Sequence, residues 1–275
     1  MMMVESVNII FGTMGIVFIT IYGDSEKAFA NALHKETGRG VDLVLFEKPK
    51  PRKLVGRFRS MLAAARAGTL IREVWYGILL RLRRETGSVI RYFRESSPFE
   101  SSPGYDPETL EVEDINSEET RAILERLSPD LIMVLGGSVL RHPVIQTAKK
   151  VVNLHMGLSP HYRGAVANQF AVLRRDAGRI GNTIHYVTNG VDTGDIIARI
   201  QADTTKPPGE MFRELNYETR KKYIDIAKRI LAGEDVPAQK QDTATGDFFS
   251  LSKWTNEARY GVVSHILQWE REGRF

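Results

Sequence analysis

The sequence contains no cysteine, which excludes disulfide frameworks, thiolate metal sites and cysteine nucleophiles. It also lacks the Lys or Arg that precedes the apolar stretch of a secretory signal, since residues 1–6 carry only Glu5 as a charged side chain. The apolar stretch 7–22 is shorter than a bilayer span and contains Gly12 and Gly15. These absences predict a cytoplasmic protein.

Metal-site spacing is missing as well, because His34, His142 and His265 are scattered along the chain, and we expect no metal. Apolar residues make up 42% and charged residues 26% of the 275 residues. These fractions are typical of a soluble globular chain and exclude a disordered or collagen-like one. A chain of this length can bury a full core without disulfides or a structural metal.

Acidic residues are almost missing from one segment. Between Lys48 and Arg94 there are thirteen Lys or Arg but only Glu73 and Glu85, which gives a net charge of +11. Because the whole chain carries +4, the remainder carries −7. A basic segment is therefore attached to an otherwise acidic body.

Apolar residues recur in this basic segment at three-to-four spacing, which predicts two amphipathic helices between 52 and 94 with a break near Gly68, followed by a loop over 96–107. The two series are Leu54, Val55, Phe58, Met61, Leu62 and Ala65, then Ile71, Val74, Trp75, Ile78, Leu79 and Leu82. We expect an inserted helical pair packed on the sheet domain, with its arginines facing solvent. Contact with an anionic membrane surface, a nucleic acid or a phosphate-bearing substrate remains open.

The rest of the chain alternates between strand and helix patterns. A strand over 16–22, a helix over 26–37 and a strand over 41–46 form a βαβ unit, which predicts a parallel sheet covered by helices. The pattern resumes after the insertion, with strands expected at 110–112, 130–135, 151–155, 183–187 and 196–201 and helices at 117–127, 165–176 and 209–231. The sequence therefore predicts an α/β fold.

Two chemically active side chains end one of these strands. Asn153 and His155 point the same way because strand side chains alternate, and they lie at the carboxyl end, where open α/β sheets bind ligands. An imidazole moves protons and an amide stabilises an oxyanion, a pairing that suits acyl transfer. The loop 190–195 brings two carboxylates, Asp192 and Asp195, of which one can orient His155.

The arrangement around Asn153 and His155 resembles the signature of the folate-dependent formyltransferases. After His155 come Pro160 and then residues 162–164 (Tyr-Arg-Gly). Residues 181–185 (Gly-Asn-Thr-Ile-His) and 191–197 (Val-Asp-Thr-Gly-Asp-Ile-Ile) continue the match. The resemblance extends over about 110–201 and implies a Rossmann-like formyltransferase core with a mixed, mainly parallel sheet.

The resemblance implies a catalytic triad of Asn153, His155 and Asp192. In such enzymes a substrate amine attacks the formyl carbon of N10-formyltetrahydrofolate, which is the co-substrate, and no metal takes part. Asn153 and protonated His155 stabilise the oxyanion. Asp192 holds the imidazole and helps to move a proton from the amine to the leaving N10.

The resemblance also implies binding residues. Those expected to hold the pterin are Gly137, Ser138, Val139, Leu140, Thr188, Asn189 and Gly190. Tyr162 and Arg163 are expected to bind the acceptor, and His185 to have a structural role. One departure concerns the loop after His155, where this chain has Gly157 in place of the serine usual in the family.

The resemblance implies a domain organisation and a small-molecule acceptor. Residues 1–205 are expected to form the catalytic domain, with 48–107 as the basic insertion and loop, and 206–275 a helical or irregular C-terminal extension. Only about seventy residues follow Gln201, which disfavours methionyl-tRNA formyltransferase because its C-terminal β-barrel needs more chain.

We expect the acceptor to be a nucleotide-linked amino sugar of surface polysaccharide synthesis. Other amine or hydroxylamine acceptors (an amino acid, glycinamide ribonucleotide or methionyl-tRNA) and a formyltetrahydrofolate hydrolase remain alternatives. Nucleic-acid binding is disfavoured, because the basic segment lacks regularly interleaved aromatic residues. Peripheral membrane contact through 52–94 and a homodimer also remain open.

Overall fold

The fold is built around one large sheet. The computed structural model describes residues 15–21, 23–38, 40–48, 67–93 and 107–275. Its strands are β1 (Ile16–Ile21), β2 (Leu43–Glu47), β3 (Thr109–Val112), β4 (Leu131–Leu135), β5 (Lys150–His155), β6 (Tyr162–Gly164), β7 (Gly181–Tyr186), β8 (Ile196–Gln201) and β9 (Asp247–Phe249).

Seven of these strands form a mixed sheet in the order β3-β2-β1-β4-β5-β7-β8. The first five are parallel, and β7 and β8 run antiparallel to their neighbours. β1, β2 and β4 are nearly continuous runs of buried apolar residues, as strands covered on both faces require. The predicted α/β fold with a mixed, mainly parallel sheet is confirmed.

Helices cover both faces of this sheet. They are α1 (Asp24–Thr37), α2 (Ala67–Leu82), α3 (Thr86–Tyr92), α4 (Glu118–Leu127), α5 (His142–Ile145), α6 (Ala167–Leu173), α7 (Pro208–Leu231) and α8 (Asn256–Glu272). α1 and α7 pack on one face, and α4 and α5 on the other. Ser117 caps α4 by accepting a hydrogen bond from Thr120 N, as the sequence predicts for a serine ahead of an acidic first turn.

The insertion differs from its prediction. The first predicted helix, 52–66, lies outside the described residues. α2 begins next to Gly68, where the break was predicted. A second break, at 83–85, separates α2 from α3. α2 packs on α8 and not on the sheet: Glu73 accepts from the backbone N–H of Asn256, and Arg83 donates to Tyr260. Among the described residues, no helix has both the length and the apolar character needed to span a membrane.

The helix predicted over 165–176 is shorter, spanning only Ala167–Leu173. Val166 and Arg175 have φ angles of 52° and 56°, in the left-handed region that is incompatible with a right-handed helix. The polar and apolar spacing of this stretch does not reveal either conformation.

The C-terminal region contributes to the sheet core and to a second, smaller sheet. α7 runs across the main sheet, and β9 pairs in parallel with β6, a strand that the sequence analysis did not predict. α8 packs on α6 and α2, and the buried residues of a second apolar cluster come mainly from α6, α7 and α8. The division at 205/206 remains a prediction.

Tyr223 of α7 joins two strands beside the candidate site. Its buried hydroxyl accepts a hydrogen bond from Val134 N (2.8 Å) and donates to Val152 O (2.7 Å). These bonds lie next to the last registered pair of β4 and β5, Val134 with Asn153. Burial raises the pKa of Tyr223, so the hydroxyl remains protonated.

Tyr223→Phe is expected to lower the free energy of unfolding by about 1–3 kcal/mol, because it leaves a buried N–H and a buried carbonyl without their partner. Urea denaturation followed by circular dichroism measures the change. A loss below about 0.5 kcal/mol, the size of an ordinary surface substitution, would contradict this account.

Candidate active site

The site begins with the register between β5 and β7. These antiparallel strands pair Asn153 with His185 and His155 with Thr183, so all four side chains lie on one face of the sheet. Asn153 Nδ2 lies 3.1 Å from His185 Nε2. The spacing within each strand and the pairing between them thus bring an amide and two imidazoles together.

Asp192 lies at the centre of this group. Its Oδ2 accepts a hydrogen bond from Gly164 N (2.7 Å) and lies 3.4 Å from His155 Nδ1. Its Oδ1 accepts from Asn153 Nδ2 (3.3 Å) and lies 3.4 Å from His185 Nε2. The three predicted triad residues are therefore in direct contact.

The Asp192 carboxylate is held in its charged form. Its side chain is only 10% exposed, and burial by itself raises the pKa of the carboxyl. The imidazoles of His155 and His185 and the N–H of Gly164 outweigh burial and hold the pKa well below its usual range. Asp192 is consequently ionised across the neutral pH range.

His155 has an acceptor at each ring nitrogen. Its Nε2 donates to the backbone carbonyl of Tyr162 (2.9 Å), and its Nδ1 faces Asp192. A neutral imidazole has a single N–H and can donate to only one of these acceptors, whereas an imidazolium can donate to both. The orientation of the His155 ring is therefore fixed at both of its nitrogens.

His185 is more closely involved than its predicted structural role requires. Its Nδ1 donates to Tyr186 O (2.8 Å), and its Nε2 lies 3.1 Å from Asn153 Nδ2 and 3.4 Å from Asp192 Oδ1. His185 therefore touches two members of the predicted triad and fixes the orientation of the Asn153 amide.

Thr183 orders the loop after His155, and the sequence analysis gave it no role. Its hydroxyl donates to Gly157 O (2.8 Å) and accepts from Ser159 N (2.9 Å). At Gly157 a Cβ atom would collide with the His155 ring and lie 2.8 Å from Tyr162 O. Replacement of the usual loop serine by glycine is thus what allows His155 to reach the Tyr162 carbonyl.

Tyr162 and Arg163 point away from the triad. The Tyr162 ring stacks on Phe249, and its hydroxyl donates to Asp176 (2.9 Å). Burial is the main cause, and the contact with Asp176 a second cause, that raises the pKa of Tyr162 to about 12. Arg163 donates to Thr243 O (2.9 Å), and its buried Nε has no hydrogen-bond partner. Tyr162 contacts the triad through its backbone carbonyl, not its ring.

A groove of about 670 Å³ lies on the outer side of β6. Arginines predominate among its charged side chains; its lining is His161, Tyr162, Arg174, Arg175, Asp176, Arg179, Ala244, Thr245, Gly246 and Asp247. Two of the arginines have acidic partners: Arg174 pairs with Asp247 and Arg179 with Asp176. Tyr162 links the groove to the triad, because its hydroxyl lines the former and its carbonyl contacts His155. The sequence analysis did not predict this groove.

Comparison with known proteins identifies the family. The sequence profile of the formyl transferase family matches residues 76–224, more than half of the chain. The chain belongs to the formyl transferase family. This confirms the resemblance that the motifs around Asn153 and His155 indicate.

Curated relatives of this formyl transferase family member include methionyl-tRNA formyltransferases. The protein from Limosilactobacillus fermentum is 36% identical over 141 residues, which cover 50% of this chain and 44% of that protein. The one from Syntrophus aciditrophicus is 33% identical over 136 residues, which cover 48% and 43%. The matched region thus spans less than half the length of these relatives.

Solved structures share the fold. A sugar N-formyltransferase from Shewanella sp FDAARGOS_354 superposes with a TM-score of 0.54 at 12% identity, covering 92% of this chain and 88% of that one. An N-formyltransferase from Helicobacter canadensis, in complex with folinic acid and dTDP-3-aminofucose, has a TM-score of 0.53 at 12% identity, covering 92% and 81%. At this identity the likeness concerns the fold alone.

The residues expected to bind the pterin lie in two segments. In the first, which follows β4, Ser138 N donates to the buried Glu47 (2.6 Å), and Val139 is exposed. Asn116 brackets Leu140 by donating to Val139 O (3.0 Å) and accepting from Arg141 N (2.7 Å). Glu47 and Asn116, which the sequence analysis did not single out, thus shape this segment.

The second segment is the loop after β7. Thr188 and Thr193 share a hydrogen bond between their hydroxyls, and the Thr193 side chain packs against Gly190. Val187, the residue before this loop, packs in the same apolar cluster as Leu140. Among the described residues, no group of three acidic or histidine side chains is arranged to hold a metal ion.

Asp192→Asn is expected to destabilise the protein in a pH-dependent way. Because the folded-state pKa is lowered, ionised Asp192 contributes stability above the unfolded pKa of about 3.9, and this contribution declines as the pH falls below that value. The free energy of unfolding should therefore drop at pH 7, and the gap from wild type should narrow below about pH 4.

Urea denaturation at a series of pH values measures this gap. Asp195→Asn is the control, because Asp195 lies on the same loop with an exposed side chain. A gap that stays constant down to the lowest pH at which both proteins fold would show that the charge of Asp192 is not responsible.

Proposed function

We propose that this chain is a folate-dependent N-formyltransferase that moves the formyl group of N10-formyltetrahydrofolate to the primary amine of a small acceptor. The observation that carries the proposal is the buried Asp192 carboxylate, in contact with both Asn153 and His155, in a chain of the formyl transferase family. Amide, imidazole and carboxylate are the groups that acyl transfer through a tetrahedral intermediate requires.

His155 is the principal donor to the oxyanion. The acceptor amine adds to the formyl carbon, and the carbonyl oxygen becomes negatively charged. In this proposal the Nε2–H of His155 exchanges the Tyr162 carbonyl for this oxygen, while Asn153 presents its amide on the same face of the sheet. A charged imidazole serves this step because it stabilises negative charge more strongly than a neutral one.

Asp192 stabilises the charged imidazole. Its lowered pKa makes the carboxylate a poor site to store a proton, so it acts mainly by electrostatic attraction and relays the proton only in passing. The amine loses its proton, N10 gains one, and the bond between the formyl carbon and N10 breaks. The products are the formamide of the acceptor and tetrahydrofolate.

A nucleotide-linked amino sugar is the proposed acceptor. Solved structures that share this fold include a sugar N-formyltransferase and an N-formyltransferase in complex with dTDP-3-aminofucose. The groove across β6 offers three arginines against two aspartates, a lining that favours a phosphate-bearing ligand. Tyr162 lines this groove and its backbone carbonyl contacts His155, which supports the groove as the site for the phosphate-bearing part of the acceptor.

Methionyl-tRNA is the second candidate acceptor. It is favoured by the sequence relatives, which are methionyl-tRNA formyltransferases, although the match spans less than half of their length. A nucleotide-linked amino sugar and methionyl-tRNA differ in the size of the anion that the protein must bind. A formylation assay with each acceptor distinguishes them.

An acceptor panel with N10-formyltetrahydrofolate tests both candidates. We expect wild-type protein to formylate a dTDP-linked amino sugar in preference to methionyl-tRNA, glycinamide ribonucleotide, an amino acid and hydroxylamine, with the formamide detected by mass spectrometry. Release of tetrahydrofolate without any formamide would instead indicate a hydrolase.

His155→Ala is expected to lower kcat/KM by about 100-fold or more, because it removes the principal donor to the oxyanion, while thermal unfolding stays cooperative. His142→Ala, which changes an exposed histidine, is the matched control and should keep wild-type turnover. Retention of turnover in His155→Ala would refute the mechanism.

We further propose that α2 rests on an anionic membrane surface. Five large apolar side chains on its outer face are each at least 44% exposed: Ile71, Val74, Trp75, Ile78 and Leu82. Helical geometry places Arg72 and Arg81 at the two edges of this stripe, as in helices that lie in a bilayer interface, and Arg72 also pairs with Glu257 of α8. Across 67–93, five arginines against two glutamates favour an anionic surface over a second copy of the same stripe.

Flotation with phosphatidylcholine vesicles, with and without phosphatidylglycerol, tests this contact. We expect binding only with the anionic lipid and its loss in Ile71→Ser/Trp75→Ser, whereas Leu251→Ser, at an exposed leucine outside the stripe, binds normally. Failure to float, or a shift to a dimer in light scattering that the double substitution abolishes, would overturn the membrane assignment.

A further inference from the structure

The segment after α7 returns to the candidate site. Gln239 forms an antiparallel bridge with Ile196: each backbone N–H donates to the carbonyl of the other at 2.8 Å. Farther along, Thr243 O accepts from Arg163, and Phe249 O accepts from Ala165 N. Residues 239–249 thus contact the start of β8 at Ile196 and the segment after the His155 loop at Arg163 and Ala165.

Gln241 makes the most direct of these contacts. Its side-chain Nε2 donates to Asp192 O (2.9 Å) and to Gly194 O (2.5 Å), so one amide group joins two carbonyls of the loop that carries the catalytic carboxylate. Gln241 is only 8% exposed. Both amide hydrogens are therefore used inside the protein.

The loop needs such a restraint because of the backbone at Asp192. Its φ angle is 51°, in the left-handed region that non-glycine residues adopt only when their surroundings impose it. A relaxed Asp192 would turn its carboxylate away from His155 and from Gly164 N. The two bonds from Gln241 hold the carbonyl of this strained residue itself and that of Gly194, two residues farther along the loop.

Stability alone does not account for an amide at this position. Gln241 Oε1 is buried and has no hydrogen-bond partner, which is unfavourable for folding. An apolar side chain would avoid this cost but could not bind the two carbonyls. The contacts of Nε2 are therefore the reason to have glutamine here.

We infer that Gln241 is a positioning residue that holds Asp192 against His155. The inference rests on the proposed formyl transfer for its kinetic consequence, but its structural part stands on the contacts of Gln241 alone. An ordered Asp192 keeps its carboxylate 3.4 Å from His155 Nδ1 and the ring aimed, whereas a disordered one leaves the ring free to turn.

Gln241→Glu and Gln241→Leu test the inference. Both keep the approximate size of the side chain and remove the two N–H donors. We expect kcat to fall about 100-fold, the effect of a misplaced catalytic group, with little change in the KM of the acceptor. The pH profile of kcat in Gln241→Leu should differ from that of the wild type, which a loss of stability alone would not cause.

Gln239→Leu is the matched control, because its side chain is exposed and its bridge to Ile196 uses only backbone atoms. It should retain the wild-type kcat and pH profile. Two results would overturn the inference. One is a kcat of Gln241→Leu within about twofold of wild type. The other is a loss of activity that appears only at temperatures at which this variant unfolds and that is reversed by cooling.

A double-mutant cycle on the free energy of unfolding separates this inference from the proposed function. If Gln241 positions the carboxylate, Gln241→Leu should destabilise the wild type more than it destabilises Asp192→Asn. Additive losses would overturn the inference even in an active enzyme. If the wild type formylates none of the acceptors, the proposed function fails, and the cycle still decides whether Gln241 positions Asp192.

Discussion

A buried carboxylate must find partners for its charge, and in this protein Asp192 obtains them from three separate parts of the chain. His155 and Asn153 come from β5, His185 from β7, and the N–H of Gly164 from the strand that follows the loop after His155. Losing any one of them would leave the charge partly uncompensated in a site that excludes water. The relative placement of β5, β6 and β7 is therefore tied to a single ionised group.

The antiparallel pairing of β5 with β7 is the other requirement. A parallel sheet would place the next strand with a different register, and a slip of one residue would turn His185 to the opposite face. Tyr223 supports the same region from beneath by bonding both β4 and β5 next to Asn153. The helix that covers the core thus also sets the spacing of the strands that carry the site.

The α/β fold and the placement of Asn153 and His155 on one face could be predicted because both depend on local patterns, strand alternation and turn residues. Those patterns left Asp192 and Asp195 open as the partner of His155, and the resemblance to the family pointed to Asp192. Contacts between residues that are distant in sequence could not be predicted. Gln241 lies 49 residues from Asp192, and no spacing rule connects them. The ends of α6 could not be predicted, because the spacing of polar and apolar residues does not reveal the left-handed conformations of Val166 and Arg175. The apolar stripe of α2 was recognised, but its packing on α8 was not.

The parallel pairing of β6 with β9 has a consequence for how the protein is made. All seven strands of the main sheet precede α7, so the sheet can assemble while the ribosome is still translating the C-terminal region. The loop after His155 cannot, because Ala165 awaits the carbonyl of Phe249. A nascent chain can therefore have a formed sheet and an unfinished site. The site is completed only after Phe249 has been added and its carbonyl can bind Ala165.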